Sequence, residues 1–314
     1  MRKSKAVALC ALAVAVVMLA AAESGRGAEK TDYRFAFAIK NLTNPFFINM
    51  AAGVERECEK YGASVNIQAT ESDKDIEKQN QILQTFLTQN YDAILVTPLS
   101  NVAIVPFIKE CNDAKVPVIV IDTKADPGEL AKLGAKMDAF VTGDNRDAGV
   151  KEAEAMVEAL GGKGEIVILE STPGSSAGIA VLEGVYSVLD KSDIKVVASQ
   201  SADNNRNMGY DVAQSILTAN PEIQGILACN DEMALGAINA LKDMDFENIS
   251  VVGINNAADA QAAMKAGAMY ASVDKRSDIQ GATAVRRAVE ILEGKEVPAE
   301  EYLECYLIKA TDLK

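Results

Sequence analysis

The chain has 314 residues, 49% of them hydrophobic and 24% charged, a composition able to bury a sizeable core. Its formal charge of −14 at pH 7 disfavours nucleic acid, whose phosphates draw Lys and Arg in bulk, and equally disfavours attachment to anionic lipid. Histidine is absent, which excludes Ser-His and Cys-His nucleophiles and leaves only carboxylate or lysine chemistry.

Arg2, Lys3 and Lys5 open the chain, followed by an unbroken 17-residue apolar run from Ala6 to Ala22. Its last residues, Ala20-Ala21-Ala22, place small side chains before Glu23. This is the layout of a secretory signal peptide over residues 1–22, removed on export. An uncleaved anchor is the alternative, because the run is barely long enough to span a bilayer. The alanine content and the small-residue exit favour cleavage. Cys10 sits well inside the run, a poor position for a lipid-modified first residue. No second long apolar run follows. The roughly 290 residues that remain are long for one compact domain and comfortable for two.

From there β-rich runs alternate with helical patterns. Strands are expected at Arg34–Ile39, Ser64–Ala69, Ala93–Val96 and Val116–Ile121. A second set is expected at Ala139–Val141, Glu165–Leu169, Lys195–Ser199, Gly225–Cys229 and Ser250–Ile254. Continuous apolar runs such as Val116-Pro117-Val118-Ile119-Val120-Ile121 suit strands covered on both faces. Helices are expected over Asp75–Gln89 and Asp147–Leu160, the latter with Val150, Ala153, Met156, Val157 and Leu160 on one face. This alternation predicts two α/β lobes, each built on a parallel sheet with right-handed crossovers. The break falls near Val141-Thr142-Gly143-Asp144, without a low-complexity linker, which favours a hinge over a floppy tether.

In open parallel sheets the ligand crevice lies beyond the carboxyl ends of the strands. The residues that follow the expected strands are Lys40-Asn41, Thr97, Asp122-Thr123, Asn230-Asp231 and Asn255-Asn256. Any one of them is explained as a cap on the next helix. Five in register across two lobes are better explained by a polar cleft.

The other chemistry-bearing residues say less. Four cysteines follow the leader, Cys58, Cys111, Cys229 and Cys305, with no CxxC pair, so a tetrahedral metal site is not expected. Buried or free thiols are the simpler reading, although an exported protein permits a disulfide. The turn Gly161-Gly162-Lys163-Gly164 precedes a strand instead of following one, so it is no phosphate loop. No cofactor is expected.

Two segments carry a resemblance to a known family. Leu42-Thr43-Asn44-Pro45-Phe46-Phe47 and Asn230-Asp231-Glu232-Met233-Ala234-Leu235-Gly236-Ala237 resemble the two signatures of periplasmic sugar-binding proteins of the ribose-binding type. Val116-Pro117-Val118-Ile119 leading to Asp122, and Val251-Val252-Gly253 leading to Asn255, support it, and the likeness covers about Arg34 to Lys309. It implies the type I periplasmic binding protein fold: two doubly wound parallel-sheet lobes joined by a three-segment hinge near Gly143, Lys275 and Glu304. The lobes would comprise 31–142 with 276–304, and 143–275 with 305–314. It further implies a monomer in the periplasm that captures a small sugar-like ligand and delivers it to an ABC importer permease in the inner membrane.

Carried over residue by residue, the ligand contacts Asn44, Phe46, Phe47, Asp122 and Asn230 stand unchanged. An Arg after the aspartate is replaced by Thr123, a second-lobe Arg by Val181, a second-lobe Asp by Asn255 and an aromatic by Asn204. Lys40 replaces a serine, and Lys275 replaces a glutamine at a crossover. These departures argue against strict ribose specificity. One carboxylate, Asp122, now faces two ammoniums, so an acidic sugar derivative becomes a candidate ligand unless one lysine points to solvent. The Phe46 and Phe47 rings would face the crevice and take the C–H face of a sugar. Pro45 suits a first helical turn behind an Asn44 cap. A ligand-regulated repressor would need a DNA-binding helix pair where this chain has an export signal. A sensor presenting ligand to a chemoreceptor or kinase remains the alternative. An enzyme would have only Asp122 and the two lysines to work with.

Overall fold

The computed structural model describes residues 32–72 and 74–313, so the expected signal peptide lies outside the described residues. The first sheet holds β1 (Arg34–Ile39), β2 (Ser64–Ala69), β3 (Ala93–Val96), β4 (Val118–Ile121), β5 (Ala139–Gly143) and β11 (Glu300–Leu303). Its order is β11-β5-β4-β3-β1-β2, parallel throughout. The second holds β6 (Lys163–Glu170), β7 (Asp193–Ser201), β8 (Gly225–Ala228), β9 (Ser250–Ile254), β10 (Ala271–Asp274) and β12 (Tyr306–Lys309). Its order is β12-β10-β9-β8-β6-β7, parallel except for the edge strand β12.

The helices α1 (Pro45–Tyr61), α2 (Ile76–Leu87), α3 (Val105–Ala114), α4 (Pro127–Leu133) and α10 (Ser277–Leu292) cover the first sheet. Around the second lie α5 (Asn145–Leu160), α6 (Ser176–Leu189), α7 (Arg206–Ala219), α8 (Asp231–Asp243) and α9 (Ala258–Lys265). Strand β1 shows the two-sided burial that its sequence suggests. Phe35, Phe37 and Ile39 pack with α1 and α10, while Ala36 and Ala38 face α2 and α3. None of the described helices is long and apolar enough to cross a membrane.

Strand positions match the sequence expectations closely, with informative differences. Strand β4 starts two residues later than read, after Pro117, and β6 and β7 run longer than their apolar segments. Strands β10, β11 and β12 carry no sequence signal. Two of these lie at sheet edges, where Glu300–Leu303 is half exposed. In α5 the buried face is Asn145, Ala148, Gly149, Glu152, Ala153, Ala155 and Met156, so it includes two polar residues and leaves Val150 and Leu160 partly exposed.

The chain passes between the sheets after Gly143, after Asp274 and after Leu303. These passages pack on one another. Asp144 donates its backbone N–H to Leu303 O at 2.9 Å, and Cys305 Sγ lies 3.4 Å from Asp144 O. The Lys275 carbonyl accepts from Gln280 Nε2 at 2.7 Å. A Cβ on Gly143 would lie 3.0 Å from that same carbonyl. The four described cysteines are buried and free.

Three helix pairs cross at reciprocal glycines. A Cβ on Gly53 of α1 would sit 2.0 Å from Asp278 O of α10, and one on Gly281 of α10 would sit 2.3 Å from Met50 O of α1. Gly149 with Gly184 joins α5 to α6, and Gly209 with Gly236 joins α7 to α8, by the same near-contact of backbones. In each pair a glycine near the start of one helix (Gly281, Gly149, Gly209) packs on the middle of the other (Gly53, Gly184, Gly236).

Candidate functional site

One cleft lies between the sheets and is lined from both of them by a few polar and aromatic side chains, the mixture a small-molecule site uses. Eight of the twelve strands among the described residues deliver a side chain to it from their carboxyl ends. Lys40 follows β1, Asp122 follows β4, and Asn145 opens α5 just after β5. From the second sheet come Ser171 after β6, Asn204 after β7, Cys229 and Asn230 after β8, and Asn255 after β9. Lys275 stands on the crossover that leaves β10.

Asp122 is the centre of the charge. Lys40 Nζ lies 3.3 Å from one of its carboxylate oxygens and Lys275 Nζ lies 3.3 Å from the other. Lys40 Nζ also donates to Thr123 Oγ1 at 2.7 Å. All three charged side chains are at least 89% buried, so neither lysine points to solvent. Burial alone would raise the Asp122 carboxyl, but Lys275 and Lys40 outweigh it and hold the group below its ordinary value.

Phe46 and Phe47 meet edge to face with ring centres 5.1 Å apart. Lys275 Nζ stands 4.9 Å from the Phe46 ring centre and Lys40 Nζ 5.6 Å from that of Phe47. Each ammonium thus shares Asp122 and one aromatic face. Both rings line the cleft, yet both also belong to the first-sheet core, with 5% of each residue exposed. They sit in the first turn of α1, where one edge packs on β1 while the other reaches the opening. Crevice and core are the same position here.

Asn44 and Asn230 combine capping with lining. Asn44 Oδ1 accepts the Phe46 N–H at 2.9 Å, and Asn230 Oδ1 accepts the Met233 N–H at 2.9 Å. Asn230 Nδ2 donates to Asn204 O at 3.2 Å, tying two lining segments together. Asp122 (φ 65°), Asn204 (φ 56°) and Asn255 (φ 117°) all hold left-handed backbone. Asn and Asp tolerate that region best among non-glycine residues, so backbone and chemistry select the same residue types.

Two expected residues stand elsewhere. Thr97 is fully buried behind the cleft, its Oγ1 accepting the Lys40 backbone N–H at 2.8 Å. Thr123 faces an adjoining hollow beside Lys74 and meets the cleft residues from behind, its Oγ1 accepting from the Lys40 ammonium at 2.7 Å and donating to Asp122 at 3.2 Å. The other nine, Lys40, Asn44, Phe46, Phe47, Asp122, Asn204, Asn230, Asn255 and Lys275, share one lining.

Sequence reasoning missed Asn145, Ser171, Ser175, Ala177, Gly178 and Cys229. Ser175 caps α6 by accepting the Gly178 N–H at 3.3 Å, and an STPGSS stretch before a helix is a readable cap signal. Asn145 Oδ1 is a buried acceptor without a partner among the described residues, while its Nδ2 donates to Thr142 Oγ1 at 3.3 Å. Below this wall sits Asp231, which accepts from the Ala257 N–H and the Ser272 hydroxyl, each at 2.7 Å. Burial pushes its carboxyl up to about 7, with Ser272 and Ala257 tempering the rise. Glu152 is fully buried nearby and is likewise pushed well above the carboxylate range by burial.

A family model described as "Periplasmic binding protein domain" matches residues 35–296. Among curated relatives, the D-allose-binding periplasmic protein of Escherichia coli is 34% identical over 278 residues, covering 87% of this chain and 89% of that protein. The ribose import binding protein of Bacillus subtilis is 32% identical, covering 88% of this chain and 87% of that one. A solved ABC transporter periplasmic solute-binding protein from Actinobacillus succinogenes, holding D-allose, superposes with a TM-score of 0.86 at 30% identity. That match covers 89% of this chain and 98% of the other.

Proposed function

We propose that this chain, which belongs to the periplasmic binding protein domain family, is an exported receptor that captures a small sugar, polyol or acidic sugar derivative between two lobes and delivers it to an ABC importer. The curated relatives named for D-allose and ribose, and the solved neighbour with D-allose bound, support the ligand class and the transport role. The observation that carries the reading is the cleft lining itself. A buried Lys40–Asp122–Lys275 cluster and two aromatic rings face Asn204, Asn230 and Asn255 across the gap. Rings for a C–H face and amides for hydroxyls are what a polyhydroxylated ligand needs.

The roles follow from position. Phe46 and Phe47 bear on the carbon skeleton of the ligand. Asn44, Asp122, Asn145, Asn204, Asn230 and Asn255 exchange hydrogen bonds with its hydroxyls. Thr97 and Thr123 hold Lys40 in place from behind. The moving bodies are 31–142 with 276–304 and 143–275 with 305–314, turning on the three packed passages near Gly143, Lys275 and Glu304. The protein binds without reacting, works as a monomer, and reaches the periplasm through removal of residues 1–22.

A thermal-shift panel of D-ribose, D-allose, myo-inositol and their acid derivatives tests the binding. A ligand at a hundred times its Kd adds about 2.7 kcal/mol to folded stability. Small-angle scattering of the same samples should then show contraction with each hit. No stabilisation by any polyol or sugar, or an unchanged scattering profile with a confirmed ligand, counts against the reading.

A further inference from the structure

We propose that the ligand carries one negative charge: a sugar acid whose carboxylate is held between the Lys40 and Lys275 ammoniums. The inference rests on the solute-receptor reading and narrows it. Among the lining residues the charged side chains are Lys40, Lys275 and Asp122, and both lysines spend their charge on the same carboxylate. One positive charge is left over at a place where water reaches little of any of the three side chains. Desolvated charge of that kind is costly unless something opposite in sign meets it.

Among the described residues no acid other than Asp122 forms an ion pair with either ammonium. Asp274, adjacent to Lys275 in sequence, accepts from the Arg276 N–H at 2.7 Å and from Asn256 Nδ2 at 3.4 Å. Asp144 caps α5 by accepting the Asp147 N–H at 3.0 Å, and Asp203 pairs with Lys74 at 2.8 Å. The wall from the second sheet, Ser171 to Asn255, contributes only neutral side chains to the lining.

Donor counting agrees. An ammonium has three N–H groups. Lys40 directs two of them to Asp122 and Thr123, and Lys275 directs one to Asp122. Both ammoniums line the cleft beside the rings, Lys275 Nζ 4.9 Å from the Phe46 centre and Lys40 Nζ 5.6 Å from that of Phe47. The capped starts of α1, α6 and α8, at Asn44, Ser175 and Asn230, add the positive ends of three helices to the same lining. Asn145 Oδ1 asks for a donor instead, which a bare carboxylate cannot give and a hydroxyl can. Two lysines also set the cleft against a cationic polyol.

Calorimetry on the mature protein with matched pairs decides the question: D-ribose against D-ribonate, D-allose against D-allonate, and D-galactose against D-galacturonate. At least one acid should bind tenfold or more tightly than its neutral partner. Lys275→Met should then weaken that acid at least tenfold while weakening the neutral partner less, and Lys40→Met should act in the same direction. If a variant does not fold, the wild-type pairs still decide. Neutral sugars binding as well as or better than their acids overturns this inference and leaves the receptor reading standing. No binding by sugar or acid overturns both.

Discussion

Lys74 Nζ lies 2.8 Å from a carboxylate oxygen of Asp203, 129 residues further along the chain. Lys74 precedes α2 beside the first sheet and Asp203 precedes α7 beside the second, so this ion pair spans the gap between the lobes. Asp203 holds a left-handed backbone (φ 52°) and is followed directly by the lining residue Asn204. A partly exposed pair of this kind contributes at most about 1 kcal/mol. Lys74→Ala should therefore weaken ligand binding by no more than about fivefold, with the loss shrinking at high salt. Scattering of the ligand-free variant should show a more open average than the parent. Identical profiles at low salt would remove the pair from any role in closure.

The glycine crossings give a second test. Gly281→Ala would put a Cβ 2.3 Å from Met50 O, a clash with backbone that only separation of α1 from α10 relieves. Such overpacking costs about 1–3 kcal/mol. Because α1 begins at Asn44, Phe46 and Phe47, the separation should also lower ligand affinity. Denaturant unfolding and calorimetry on one preparation will show whether both fall together.

Asp231 sets a pH dependence. Its carboxyl titrates near 7 when folded against 3.8 for an unperturbed aspartate, so the folded protein holds more protons across that window. Stability is thus highest below the unfolded value and declines as pH rises through about 7. The Glu232 and Asp274 charges add to the shift. Asp231→Asn keeps an acceptor for the Ala257 N–H and a donor for Ser272 Oγ while removing the titration. The variant should lose on the order of a few kcal/mol of the stability difference between pH 5 and pH 8. Urea midpoints at both pH values measure it, and an unchanged difference refutes the assignment.

Phe46→Leu separates stacking from packing. Leucine retains most of the apolar contact with the first-sheet core, so folding should lose less than about 1.5 kcal/mol. The aromatic face under Lys275 is lost, and binding should weaken by about 0.5–2 kcal/mol. Thermal unfolding of the free protein and calorimetry with ligand distinguish the two effects.

For the leader, intact mass of the exported protein should correspond to a chain beginning at or near Glu23. A full-length species starting at Met1 in the membrane fraction would show an uncleaved anchor instead.

Much of this architecture is readable along the chain. Strands β1, β3 and β9 have the limits that their apolar runs suggest, because a strand covered on both faces must be continuously apolar, and the edge strand β2 is read instead from the alternation of Val65, Ile67 and Ala69 with polar residues. The motif residues Asn44, Phe46, Phe47 and Asn230 are also legible, since a cap and a first turn impose their residue types locally. Other features are not local. The edge strands β11 and β12 are half exposed and only four residues long, too short for a periodic signal, so their existence depends on a neighbour to pair with. Asn145 and Glu152 look like the polar side of α5, yet they are buried because α5 is enclosed by α6 and the second sheet.

Sequence alone determined that two α/β lobes would present a row of polar side chains at their strand ends, and it named nine of the residues that stand there, though not Asn145, Ser171 or Ser175. Tertiary structure decided how those side chains combine. Lys275 reaches Asp122 across 153 residues, and both lysines converge on one carboxylate above paired rings. Periodicity and capping act over a few residues and are written in local order. A buried charge cluster is set by which strand ends the sheet order and the glycine crossings bring within a few ångströms, and no short-range pattern encodes that distance.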